Sequence, residues 1–246
     1  MNVKSITAAA PHLEYLGGKI LTAPKFVSIF YGDYWNTAQG VRDRAYQDKF
    51  AASLVKGSYT SIWREYGSGA GKFLGSVQLN STNPSKVTEA GIQKIIANGL
   101  ATGTIQAGPA QTVYTVFLPP GAVLESGDGT SSREGMGGYH GSFNLRPGKK
   151  IYYAAIVFPA PGNGINFTTK PKDSISIVAS HEWSEAVTDP DVNNGKTAWY
   201  DMNYGEIGDI PINIGMQLKD VFGRLGGFAV QKEWSNRLGE AVLEEK

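Results

Sequence analysis

The chain has 246 residues, 41% hydrophobic and 18% charged, a globular composition that excludes a disordered polymer. Its formal net charge of +1, with no basic run interleaved by aromatics, argues against a nucleic-acid partner. With no cysteine, disulfides and thiolate ligands are excluded, so any metal site must use histidine, carboxylate, carbonyl oxygen or water.

Residues 1–24 read as an extended arm ahead of one α/β domain over residues 25–246. "MNVKSITAAAPHLEYLGGK" has no continuous apolar stretch of signal-peptide type, and no run approaches the roughly 18 residues of a membrane span. "KFVSIFYGDYW" (25–35) predicts a strand. "TAQGVRDRAYQDKFAASLVKG" (37–57) predicts a helix through Val41, Tyr46, Phe50 and Leu54, stopped at Gly57. "SYTSIWREYGSG" (58–69) reads as a short helix or turn, and "KFLGSVQLN" (72–80) as a strand. "NPSKVTEAGIQKIIANG" (83–99) reads as a helix with Pro84 near its start, Ile92, Ile95 and Ile96 on one side, and Gly99 as its stop.

"QTVYTVFLPPG" (111–121) is a strand halted by two prolines. Residues 124–148 read as a long polar, glycine-rich loop carrying Tyr139 and His140, and a loop of that length points to function. "KKIYYAAIVFPAPG" (149–162) has the near-continuous apolar character of a strand buried on both faces. A helix follows over about 173–187, closed by Asp189-Pro190, then an acidic loop over 193–210 and a last strand over 228–236. With no repeat, linker or break in composition, the simplest architecture is a single mixed sheet flanked by helices.

The chemistry concentrates in "SHEWSEAVTDPDV". His181 and Glu185 stand four apart, so a helix presents both on one face, where one ion can take both as ligands. Glu182 lies between them, in reach of a water beside that ion. This is the mechanical plan of the HExxH zinc-protease motif, with Glu185 in place of the second histidine. A third ligand is available from the downstream acids, with Glu206 and Asp209 three apart and Asp191 ten residues after His181. The bland alternative is an amphipathic helix that turns Ile175, Ile177, Val178 and Trp183 to the core and Glu182 and Glu185 to water.

His140 is either a further ligand, an oxyanion donor or a residue that pins its loop. Ser142 nearby raises a Ser/His possibility, but "GYHGSFN" lacks the G-x-S-x-G elbow. "GSGAGKFLG" lacks the order of a phosphate loop.

Several separated pieces resemble the EXORDIUM-like (phosphate-induced protein 1) family and its microbial relatives. They are "VSIFYGDYWN", "SLVKGSYTSIWREYG", "VYTVFLPPG", "GGYHGSFN" and "ASHEWSEAVTDPDV…AWYDMNYGEIGDI", in that order over residues 26–210. The resemblance implies a secreted or cell-surface protein and no settled activity. The family's cysteines near the His loop and after the Glu-Ile-x-Asp block are missing here.

The residues therefore carry the expectation. It is a zincin-like, zinc-dependent hydrolase acting on a peptide or protein. His181, Glu185 and either Glu206 or Asp209 are the metal ligands and Glu182 is the general base. His140 or a nearby tyrosine stabilises the oxyanion, with Tyr139, Trp199 and Tyr200 toward substrate and an edge strand along the cleft. The competing expectation is a non-catalytic binding or signalling protein with a structural ion, calcium in place of zinc.

Overall fold

The computed structural model describes residues 10–245. The chain begins with a two-residue strand, β1 (Glu14–Tyr15), then β2 (Lys25–Tyr31), helix α1 (Ala38–Leu54) and the short α2 (Thr60–Glu65). Strands β3 (Lys72–Leu79) and β4 (Lys86–Thr88) lead into α3 (Glu89–Thr102), followed by β5 (Thr112–Phe117) and β6 (Val123–Glu125). The hairpin β7 (Gly138–Arg146) and β8 (Lys149–Ile156) precedes the long helix α4 (Pro171–Thr188). The C-terminal part comprises β9 (Trp199–Tyr200), α5 (Ile210–Asn213), β10 (Phe222–Leu225), β11 (Phe228–Gln231), β12 (Glu233–Ser235) and β13 (Glu240–Val242).

The expected mixed sheet is present, with five strands in the order β3-β2-β5-β8-β7. Neighbours from β3 to β8 run parallel, and β7 closes one edge antiparallel to β8. Because side chains alternate across a strand, each central strand feeds two cores. Phe26, Phe30, Val113, Phe117, Tyr152 and Ala154 face α1 and α4. Val27, Ile29, Tyr114, Val116, Ile151 and Tyr153 face α3. Trp183 of α4 anchors the first core, stacked 4.5 Å from Phe26, with its indole donating to Thr115 Oγ1 at 2.8 Å.

Three predicted elements differ in detail. In α1, Val41 is 45% exposed, whereas Gly40, Asp43, Gln47 and Ala51 are buried with Phe50 and Leu54. The inward face is partly polar because Gln47 donates to the Lys172 carbonyl and Asp43 accepts from Tyr34. The helix expected over 83–99 starts later, after β4, with Thr88 as its cap, and ends at Gly103 in the left-handed region. Gly99 lies inside it, where a Cβ would meet Ile105 at 2.4 Å.

The third difference matters most for function. The "loop" over 124–148 contains β6, a 3-10 turn and all of β7, so His140 lies on a strand paired with Ala154, not on a loop. Pro147 and Gly148 (φ 76) make the hairpin turn. The described part of the N-terminal arm is extended but packed. Leu13 and Leu21 are fully buried, and β1 pairs with β9. Residues 1–9 of that arm lie outside the described residues.

Candidate metal centre

Helix α4 carries the site, and its composition explains how a helix bearing two glutamates can be buried on nearly every side. Pro171 opens it at a position where no intrahelical donor is lost. Serines at 174, 176, 180 and 184 are small enough to admit close neighbours. Their hydroxyls are absorbed locally, as Ser180 Oγ donates to the Ile177 carbonyl at 2.8 Å and Ser184 Oγ to the Ser180 carbonyl at 2.9 Å. Glu182 and Glu185 are therefore 3% and 4% exposed, and the amphipathic-helix alternative, which needs them in water, does not hold.

Around them four elements converge. His181 Nε2 lies 3.2 Å from Glu185 Oε1 and 3.9 Å from Asp209 Oδ1. From β7, His140 Nδ1 lies 3.5 Å from Glu182 and 3.4 Å from Glu185 Oε2. Its Nε2 lies 3.4 Å from Glu206 Oε1 and 3.1 Å from the Asp189 carbonyl oxygen. Two groups have ligand atoms mutually close enough to hold a metal ion: His181, Glu185 and Asp209, and His140, Glu185 and Glu206. For bonds of about 2.0–2.1 Å, neighbouring ligand atoms of a tetrahedron stand about 3.3 Å apart. The His181–Glu185 pair and the His140 Nδ1–Glu185 pair match that edge.

The donor set also fits a cation electrostatically. Glu185 Oε1 and Glu206 Oε1 are buried without a hydrogen-bond partner, although a ring nitrogen lies near each. Among the described residues, the ion pairs of Glu182, Glu185, Glu206 and Asp209 are all with histidine, none with lysine or arginine. Buried carboxylates in this state shift one another. Burial pushes Glu206 well above the ordinary carboxylate range, His140 only partly offsetting it. Burial also raises Glu182, against the pull of His140. Glu185 is opposed by burial too, but His181 and His140 on its two sides draw it down to about 2. Burial disfavours charge on His140, yet Glu206, Glu182 and Glu185 raise it well above the usual imidazole range.

Two glycines permit this crowding. A Cβ on Gly208 would meet His181 Nδ1 at 2.4 Å, so the acidic loop reaches the ring only because residue 208 has none. A Cβ on Gly138 would meet the Ala155 carbonyl oxygen at 2.6 Å and Glu182 Oε1 at 3.0 Å.

Gln231, at the end of β11, was not foreseen. Its Nε2 donates to the Gly208 carbonyl at 2.6 Å and lies 2.8 Å from His181 Nδ1. An amide nitrogen only donates, so this orientation makes Nδ1 the acceptor and puts the proton of neutral His181 on Nε2, toward Glu185. Ligation through Nε2 needs the other tautomer, which a half-turn of the Gln231 amide supplies by presenting oxygen to Nδ1–H. No sequence spacing links residue 231 to the motif.

A cleft of about 170 Å³ opens on this cluster, lined by Gly137 and Gly138 before and at the start of β7, by His181, Glu182 and Asp209, and by Phe167 on its apolar side. Trp199, Tyr139 and Tyr200 are not among its lining residues. Trp199 packs edge-on to Tyr66 and donates to its carbonyl oxygen. Tyr139 lies against Tyr153 in the core facing α3. Tyr200 pairs with Glu14 in β1–β9, and its hydroxyl is raised by burial and then by the charge of Glu206. Asp191 is engaged elsewhere, accepting from Lys150 at 2.7 Å and from Ser142 at 2.5 Å. That removes it as third ligand and Ser142 as a nucleophile beside a histidine. His12 is exposed, and Asp201 is held by turn amides.

No helix among the described residues is long and apolar enough to cross a membrane. No protein-family description, curated protein or solved structure matches the chain.

Proposed function

We propose that the protein is a zinc-dependent hydrolase of zincin type that cleaves peptides. The observation that carries this reading is the grouping of His181, Glu185 and Asp209 beside a cleft that Glu182 also lines. Mixed histidine and carboxylate ligation suits zinc better than calcium, which prefers oxygen alone. Zinc held there would supply a Lewis acid for the scissile carbonyl. The protein's own parts are simpler to state. Glu182 accepts the proton of the attacking water, with its basicity kept up by burial. The outer edge of β7 is capped at Ser142 by Asn193 and Asn194, and an extended chain would meet it at the Gly138 end, where Gly137 and Gly138 let it come close to Glu182.

The test is Glu182→Gln, which keeps size and removes the base. Zinc content should stay stoichiometric while turnover of a peptide library falls roughly 10²–10⁴-fold. Purified protein without stoichiometric transition metal, or a variant as active as its parent, would sink the reading.

The depth of the cluster favours one competitor. His140, Glu185 and Glu206 are each under 8% exposed, as suits a structural ion in a non-catalytic binding or signalling protein of EXORDIUM-like type, secreted or at the cell surface. A melting temperature raised by calcium and indifferent to zinc would select that reading.

A further inference from the structure

We propose that the cluster is built for two divalent cations bridged by Glu185, with His140 and Glu206 as ligands of the second. The inference rests on the proposed function for its first position, at His181, Glu185 and Asp209, and adds a second that the HExxE motif does not contain.

Three observations converge on it. The two histidines approach different oxygens of one carboxylate, His181 at Oε1 (3.2 Å) and His140 at Oε2 (3.4 Å). A carboxylate approached by a different histidine at each oxygen is placed to bridge two ions. The two groupings share Glu185 and nothing else, so they are two positions and not alternative descriptions of one.

Next, the ring of His140 is set for ligation. The Asp189 carbonyl oxygen at 3.1 Å takes the hydrogen of Nε2, which leaves Nδ1 bare toward Glu185. A backbone acceptor behind a histidine is the usual support of a metal-bound ring. Glu206 Oε1, buried and without a hydrogen-bond partner, lies 3.4 Å from Nε2 on the other side of that ring, and His140, Glu185 and Glu206 each bring one ligand atom within 4.8 Å of the others.

Last, charge counts for two. Glu182, Glu185, Glu206 and Asp209 bring four negative charges when ionised, and among the described residues none is paired with lysine or arginine. One divalent cation offsets half of that, and two offset all of it. Glu182, Glu185 and Glu206 are buried, and burying carboxylates with only histidines as ionic partners is costly, so a site evolved for one ion has no use for so many.

The experiment is zinc titration of the chelator-treated full chain by calorimetry, with bound metal counted by mass spectrometry. A His12→Ala background removes the exposed histidine. Two equivalents are expected. His140→Ala and Glu206→Gln should each retain one, while Glu185→Gln should lose both. Cobalt or manganese loading adds an independent signature, since two ions on one carboxylate couple magnetically. One equivalent in the parent, unchanged by His140→Ala or Glu206→Gln, overturns the second position and leaves the hydrolase reading standing. Two equivalents that survive both variants also overturn it, because the second ion then lies elsewhere. Zero equivalents defeats both readings. If His140→Ala does not fold, Glu206→Gln decides alone.

Discussion

Two sets of buried carboxylates lie on neighbouring flanks of α4, and they are resolved in different ways. Glu233 on β12 is fully buried and accepts a hydrogen bond from Tyr59 at 2.6 Å. Trp63 and Tyr59 meet Ser184 beside it, at 3.0 and 3.5 Å. Burial above all pushes Glu233 up to about 8, with the charge of His181 and the Tyr59 hydroxyl opposing and the charge of Glu185 adding, so it settles by holding its proton. Glu182, Glu185 and Glu206, one helical face away, are too many and too close for that solution. Their neighbours are histidines and one another. Each flank leaves buried carboxylate oxygens without a partner, one on the first (Glu233 Oε2) and two on the second (Glu185 Oε1 and Glu206 Oε1). A single proton answers the first, and the crowded second calls for cations from outside.

The strongest way to break that contrast is to remove the cations. An ion present at about 1,000 times its dissociation constant stabilises by about 4 kcal/mol. For a chain of this size that is about 10 °C in melting temperature. Chelation should lower the melting temperature by that much and zinc should restore it. Melting curves that coincide with and without chelator would put the two flanks in one class, both satisfied internally.

The second prediction works on the other flank through pH. The folded state holds the Glu233 proton up to about 8, whereas an unshifted glutamate releases it near 4.5. Stability tied to that proton is complete below about 4.5 and is lost as pH rises through about 8. Glu233→Gln keeps the acceptor for Tyr59 and cannot ionise. The parent should therefore lose about 1–3 kcal/mol more than the variant between pH 5 and pH 8.5, the ordinary cost of a poorly satisfied buried group. Parallel melting profiles would show that Glu233 is not the group responsible.

The contrast also explains what could be read from the chain beforehand. The parallel strands were legible because runs such as Lys149–Ile156 are apolar on both faces, and α4 because its spacing and its Asp189-Pro190 stop agree. The pairing of His181 with Glu185 follows from helix geometry alone. His140 was misplaced because seven glycines from residue 127 to residue 148 resemble a loop. The signal that could have found the strand was the Arg146-Pro147-Gly148-Lys149 turn directly before an apolar run. The burial of the glutamates was not legible, since a serine-rich helix looks polar until its hydroxyls are seen bonded to its own carbonyls. Gln231 and the Asp189 carbonyl reach the histidines through folding alone, and no local pattern marks them.

The smallest effect expected belongs to Gln231, and its sign is the informative part. In the arrangement seen, its amide nitrogen faces His181 Nδ1 and favours the tautomer with its proton on Nε2, on the side of Glu185, instead of the one that binds metal through Nε2. The amide must turn over for ligation, which gives up its bond to the Gly208 carbonyl. A glutamate at 231 also gives up the bond to the Gly208 carbonyl, but it accepts from Nδ1–H in either orientation and forms the carboxylate–histidine pair that orients many metal-bound rings. A leucine offers no acceptor. Gln231→Glu should therefore tighten zinc binding and Gln231→Leu should weaken it, the two differing by about 10–100-fold. Competition with a chelating dye reads this directly, without any assay of activity. Equal affinities in the two variants would mean that Gln231 merely fills space beside His181, and that the ring takes its tautomer from Glu185 alone.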